Sequence, residues 1–146
     1  MNSTPNTTPL TDAFLYAGRA SFVIRNGKGE SVTVKVSKAK PSINRYTGQP
    51  WPETFFVSIR YQNDSWQYVG NVSRASVKVV RSRKYVPSVE SDRAIAVAEW
   101  GMGVIVDRKP LPAGYSIEHT GRCGVCYKML RDPESIALGI GPVCRG

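Results

Sequence analysis

The tightest constraint on this chain lies near its C-terminal end, where the sequence reads His119-x3-Cys123-x2-Cys126-x17-Cys144. All three cysteines and the only histidine are gathered there. An odd number of cysteines argues against a disulfide scaffold, and two thiols two residues apart can be turned onto one ion by a single tight turn. A structural zinc takes four soft or borderline ligands in a tetrahedron, so Cys123, Cys126 and Cys144 with His119 are expected to hold Zn2+ in a closed, structural site. Gly124 suits the turn between the first two sulfurs. Asp132 and Pro133 read as the cap and first position of a short helix, Gly139 reads as its stop, and Gly141-Pro142 bends the chain back towards Cys144. Other readings of the same residues stay open: three cysteines with a different fourth ligand, a redox pair at Cys123 and Cys126, or small buried apolar side chains.

The same residues weigh against catalysis. A closed four-ligand site has no position for an activated water. Zinc deaminases need a Glu two residues after a His, whereas here Glu118 precedes His119. With the single histidine committed, a Ser/His/Asp or Cys/His nucleophile has no base, and no phosphate-cradling glycine loop occurs; Gly101-Met102-Gly103 lacks the rest of such a pattern. A non-enzymatic role is expected.

The stretch Gly121-Arg122-Cys123-Gly124-Val125-Cys126, then Leu130, Asp132-Pro133-Glu134-Ser135-Ile136 and Gly139-Ile140-Gly141-Pro142-Val143-Cys144 resembles a short zinc-finger module at the C-terminus of many uncharacterised bacteriophage proteins. A weaker resemblance extends upstream through Ala17-Gly18-Arg19-Ala20-Ser21-Phe22, Phe55-Phe56-Val57-Ser58 and Gln67-Tyr68-Val69-Gly70 to the β-rich region that accompanies that module. The resemblance implies zinc, a phage origin and His119 as fourth ligand. It carries no settled activity.

Upstream, residues 21–36 hold two β-branched runs around Asn26-Gly27-Lys28-Gly29, which predicts a hairpin with Val32, Val34 and Val36 on its buried face. Residues 38–52, rich in proline, read as a long irregular loop. Residues 54–62 and 66–72 predict a second hairpin about Asn63-Asp64-Ser65, and 75–80 a fifth strand. After Pro87, Ser88 can cap a helix near 89–100 whose buried face takes Ile95, Val97, Ala98 and Trp100. Residues 104–106 read as a last strand or a last helical turn, and 107–114 as a linker. The expected fold is α+β: a twisted, mainly antiparallel sheet with one principal helix and a small zinc finger. The expected divisions are a disordered tail over 1–13, a β-rich basic domain over 14–114 and the finger over 115–146. No run of about 18 apolar residues and no basic-then-apolar leader is visible, so a cytoplasmic protein is expected, in the bacterial host if phage-encoded.

Charge is unevenly placed. The chain carries a formal +9, but residues 18–84 hold thirteen Lys and Arg against Glu30, Glu53 and Asp64, a net of +10. Parity along residues 57–62 turns Val57, Ile59 and Tyr61 inward and Ser58, Arg60 and Gln62 outward. Cations interleaved with aromatics suit single-stranded more than duplex nucleic acid, bound without reading sequence. The expected contacts are Lys38, Lys40, Arg45, Tyr46, Trp51, Arg60, Arg81, Arg83 and Lys84. The alternative expectation is a phage accessory protein whose basic surface docks on an acidic host protein, for example as an inhibitor of a bacterial defence system such as CRISPR, with Trp51 as anchor.

Overall fold

The computed structural model describes residues 7–61 and 65–144. The Asn26 side chain accepts hydrogen bonds from the N–H groups of Lys28 and Glu30, at 2.9 and 3.1 Å, and so closes the first turn. Through it β1 (Arg19–Arg25) pairs antiparallel with β2 (Ser31–Lys38), from Arg25 opposite Ser31 to Arg19 opposite Ser37. Val32, Val34 and Val36 are buried on one face, as their alternation predicts. Next come β3 (Phe55–Tyr61), β4 (Gln67–Ser73) and β5 (Ser76–Arg81), each antiparallel to the one before. The β3–β4 pair is the expected second hairpin; Asn63 and Asp64 of its turn lie outside the described residues. Val57 and Ile59 point inward on β3, and Tyr61 gives its hydroxyl to Glu30 at 2.9 Å.

The principal helix, α2 (Val89–Asp107), is longer than the sequence predicts. Ser88 Oγ caps it, accepting from Ser91 N–H at 3.0 Å. Gly101 does not end it, because that glycine is where the helix rests on Ile24: a Cβ there would run into the Ile24 side chain. Ala94, Ile95, Ala98, Met102 and Ile105 form the buried stripe. Trp100 is left 37% exposed against the Tyr115 ring, off the buried face where it was expected. The topology explains the length. The strand order is β5-β4-β3-β2-β1-β6, so the chain must pass from one edge of the sheet to the other between β5 and β6 (Ser116–His119). Six strands span about 24 Å, and the 19 residues of α2 reach about 28 Å.

Two boundaries are corrected. Residues 8–13, expected within a disordered tail, include a buried Thr8 and a Leu10 that is 0% exposed, and α1 (Asp12–Leu15) follows, capped by Thr11. Apolar Leu10, Phe14 and Leu15 fill the end of the core, and Arg108 holds the segment by donating to the Leu10 carbonyl at 2.9 Å. Residues 116–119, expected within a separate finger, are instead the sixth strand of the sheet, paired with β1 from Phe22 opposite His119 to Arg25 opposite Ser116. The loop over 38–52 is more ordered than predicted. Ile43 bridges Pro50, and Asn44 N–H donates to the Gln49 carbonyl at 2.8 Å, which makes a small hairpin of its tip.

Candidate metal centre and the adjoining sheet face

After β6 the chain enters a tight turn, in which Tyr127 N–H bonds the Cys123 carbonyl at 2.9 Å and Cys123 N–H bonds the Lys128 carbonyl at 2.8 Å. The turn directs Cys123 and Cys126 to the same side. The helix α3 (Pro133–Leu138), capped by Asp132 as its sequence predicts, ends at left-handed Gly139 and returns the chain so that Cys144 meets them. The sulfurs of Cys123, Cys126 and Cys144 lie within 4.8 Å of one another. Thiolates sharing one tetrahedral ion at about 2.3 Å stand about 3.8 Å apart, so a small closure suffices for all three to hold a metal ion. The N–H groups of Val125 and Gly141 aim at Cys123 Sγ, at 3.4 and 3.3 Å. Burial raises the Cys123 thiol, but these donors and that of Cys126 outweigh it and bring the group down to about 7. The free thiol of Cys144, hydrogen-bonded to Cys126 and partly desolvated, is pushed up to about 11. Backbone donors aimed at sulfur are what a thiolate ligand needs.

Residues 116–146 match a family of unknown function, DUF6011. The matched segment starts with β6 and takes in the cysteine turn, α3 and Cys144, so the similarity covers the metal cluster together with the strand that joins it to the sheet. No curated protein and no solved structure matches the chain.

The structure does not bring His119 into the sulfur group. Its Nδ1 accepts the Gly121 N–H at 2.9 Å, which leaves the proton on Nε2, and Nε2 donates to the Ile136 carbonyl. Both nitrogens are thereby spent on backbone, and the imidazole ties the cysteine turn to α3. Among the described residues no histidine or carboxylate joins the three sulfurs, and the group borders a cavity of about 360 Å3 lined also by Met129, Leu130 and Pro142. The DUF6011 segment is held to the core by Phe14. The ring, fully buried, sits 2.8 Å from where a Gly124 Cβ would be and 2.7 Å from that of Gly139. Glycine is thus required at 124 by the packing on Phe14; its φ lies outside the left-handed region, so the turn itself does not demand it.

The face of the sheet opposite α2 carries the outward set of β2, β3 and β4: Lys35, Phe56, Ser58, Arg60 and Tyr68. Lys35 Nζ stands 4.4 Å and Arg60 Cζ 4.9 Å from the centre of the Trp66 ring. Phe56 and Tyr68 meet edge to face at 5.9 Å. Of the residues expected to contact nucleic acid, Arg60 lies on this face. Lys38, Lys40 and Trp51 line a groove of about 380 Å3 that also takes in Phe56 and so continues the face into the loop. Lys38 pairs with Glu53 at 3.2 Å, and Arg45 and the 97% exposed Tyr46 stand at the loop tip. Arg81 turns away, to Asp92 of α2 at 3.9 Å, and Arg83 and Lys84 follow β5 at the edge remote from the cysteines. Lys35, Phe56, Trp66 and Tyr68 are not among the expected contacts, although Trp66 and Tyr68 belong to the aromatics that the sequence interleaves with the cations of this region. Period-two alternation on β2 and β3 contains the signal for Lys35 and Phe56, while Trp66 is brought over β2 only by the return of the hairpin.

Proposed function

We propose that this protein binds single-stranded nucleic acid on the helix-free face of its sheet, with a zinc ion clipping the DUF6011 segment to one edge. The observation that carries the reading is Trp66, whose ring draws Lys35 and Arg60 together on an open face where, among the described residues, neither cation has an ion-pair partner. Unpaired cations beside exposed aromatics are what a flexible polyanion recognises, phosphate on the charges and bases on the rings. Phe56, Tyr68 and Trp51 extend the stacking surface, and Lys40 and Arg45 extend the charge. Sulfur donors in this spacing favour zinc, and the resemblance to bacteriophage modules supports a role in phage nucleic-acid metabolism within a bacterial cytoplasm. Chemistry at the ion is not part of the reading.

The test is a fluorescence-anisotropy titration of the zinc-loaded protein against labelled oligo-dT, oligo-rU and a duplex over a salt series. Affinity for the single strands should fall with salt at a log–log slope of about −0.7 per phosphate neutralised. Trp66→Ala should weaken it about tenfold, the scale of one stacking contact. Absence of salt-sensitive binding to any of the three polymers refutes the proposal.

A further inference from the structure

The cations and rings on the helix-free face do not stop at the sheet. Arg60 and Lys35 flank Trp66; Lys35 Nζ also lies 5.8 Å from the Tyr127 ring centre, and Arg122 Cζ lies 5.6 Å from the same ring. The series Arg60, Trp66, Lys35, Tyr127, Arg122 therefore alternates cation and aromatic from β3 across β2 to the cysteine turn. Among the described residues none of its three cations is in an ion pair, and Arg60 Nε is buried with no hydrogen-bond partner. Attraction to a ring quadrupole holds a cation in place but does not neutralise it. Three half-buried like charges in a row leave a strip that an anion chain would relieve.

Tyr127 supplies a separate observation. Its φ is +67°, in the left-handed region that costs an L-residue energy and that glycine enters freely. The turn between Cys123 and Lys128 requires that conformation; it does not require a phenol. Glycine would make the same turn with less strain, so what tyrosine adds at this position is its ring, and the ring bridges Lys35 of the sheet to Arg122 of the DUF6011 segment. A strained residue at a surface that joins two elements is where function is expected to hold the strain.

Building on the single-strand reading above, we infer that the cysteine turn is itself part of the polymer surface. The sugar-phosphate backbone of the single strand crosses from Arg60 to Arg122, and Tyr127 is the residue that makes the strip continuous. A duplex presents its phosphates at fixed spacing on a stiff rod, whereas a single strand can follow a strip that climbs from a sheet onto a turn.

The experiment compares full-length, zinc-loaded wild type with Tyr127→Gly, Arg122→Gln and Trp66→Ala against oligo-dT over a salt series, with zinc content and thermal midpoint measured on each. Tyr127→Gly is expected to keep its zinc and a midpoint at or above wild type, because the backbone strain is relieved, and yet to bind about tenfold more weakly. Arg122→Gln is expected to bind more weakly and to make the salt slope shallower by about 0.7, one phosphate contact. If both variants bind as wild type while Trp66→Ala is impaired, the turn is outside the surface and the inference falls, with the sheet reading intact. Wild type that does not bind oligo-dT overturns both. A Tyr127→Gly protein that loses zinc also overturns it, since the ring would then serve the metal site.

Discussion

Gly124→Ala probes how the DUF6011 segment is joined to the core. The added methyl would lie 2.8 and 3.0 Å from Phe14 Cδ2 and Cε2 and 3.4 Å from Ala17 Cβ. Contacts of that kind force a shift, and Phe14 is fully buried with the same ring edge packed so closely on Gly139 that a Cβ there would be only 2.7 and 2.9 Å away. Overpacking of a filled core costs about 1–3 kcal/mol. Gly124 has no positive φ, so this figure contains no backbone term. In a protein of 146 residues it corresponds to a midpoint lowered by roughly 3–10 °C. Trimming the ring should release the clash: Phe14→Leu alone costs about 1 kcal/mol, and Gly124→Ala in that background should cost much less than in wild type, a coupling of about 1–2 kcal/mol. Urea denaturation of the four proteins closes the cycle. If the two substitutions add without coupling, Phe14 does not clamp the turn, and the account of how the segment is held fails.

Other consequences are direct. On the proposed reading, in which the three sulfurs hold the zinc, His119→Asn should retain zinc at full stoichiometry and should lose about 1–2 kcal/mol from the backbone hydrogen bonds of the imidazole; loss of metal on dialysis would make the imidazole a ligand after all. Chelation should lower the thermal midpoint of wild type and weaken its oligo-dT binding, whereas in Tyr127→Gly it should lower the midpoint with little further effect on affinity. Ser88→Ala should cost about 1 kcal/mol by removing the cap of α2, read as a lower urea midpoint at unchanged slope. Hydrogen bonds from Asn26 and then Tyr61 hold the Glu30 carboxyl below its usual range. Its contribution is therefore present above the ordinary carboxylate pKa and lost as the pH falls through the lower, folded value. The stability gap between wild type and Glu30→Gln should be constant above about pH 5 and close below about pH 4, and a gap that widens in acid would contradict the sign.

Where local chemistry dictates structure, the sequence is readable. Asn26-Gly27 predicts its turn, the alternating valines their buried face, Ser88 and Asp132 their caps, and Cys123-x2-Cys126 with Cys144 the cluster that the fold assembles. These features depend on neighbours a few residues away, or on ligand types so scarce in the chain that no rival partners exist. Where the fold departs from those expectations, the causes are long-range. Leu10 is buried because a core is open at that end, and α2 runs past Gly101 because it must cross the sheet to reach β6.

The functional surface divides along the same line. Composition alone places the positive charge in residues 18–84 and the sulfurs in the last quarter of the chain. Only tertiary structure decides which cations are spent, as Lys38 is on Glu53 and Arg81 on Asp92, and which stand beside a ring, as Lys35 and Arg60 do. His119 is diverted from the sulfurs in the same way, because Gly121 N–H and the Ile136 carbonyl reach its nitrogens first. A residue type states what a side chain can bind; which partner it takes is settled by distances between segments far apart in the chain, and those exist only after folding.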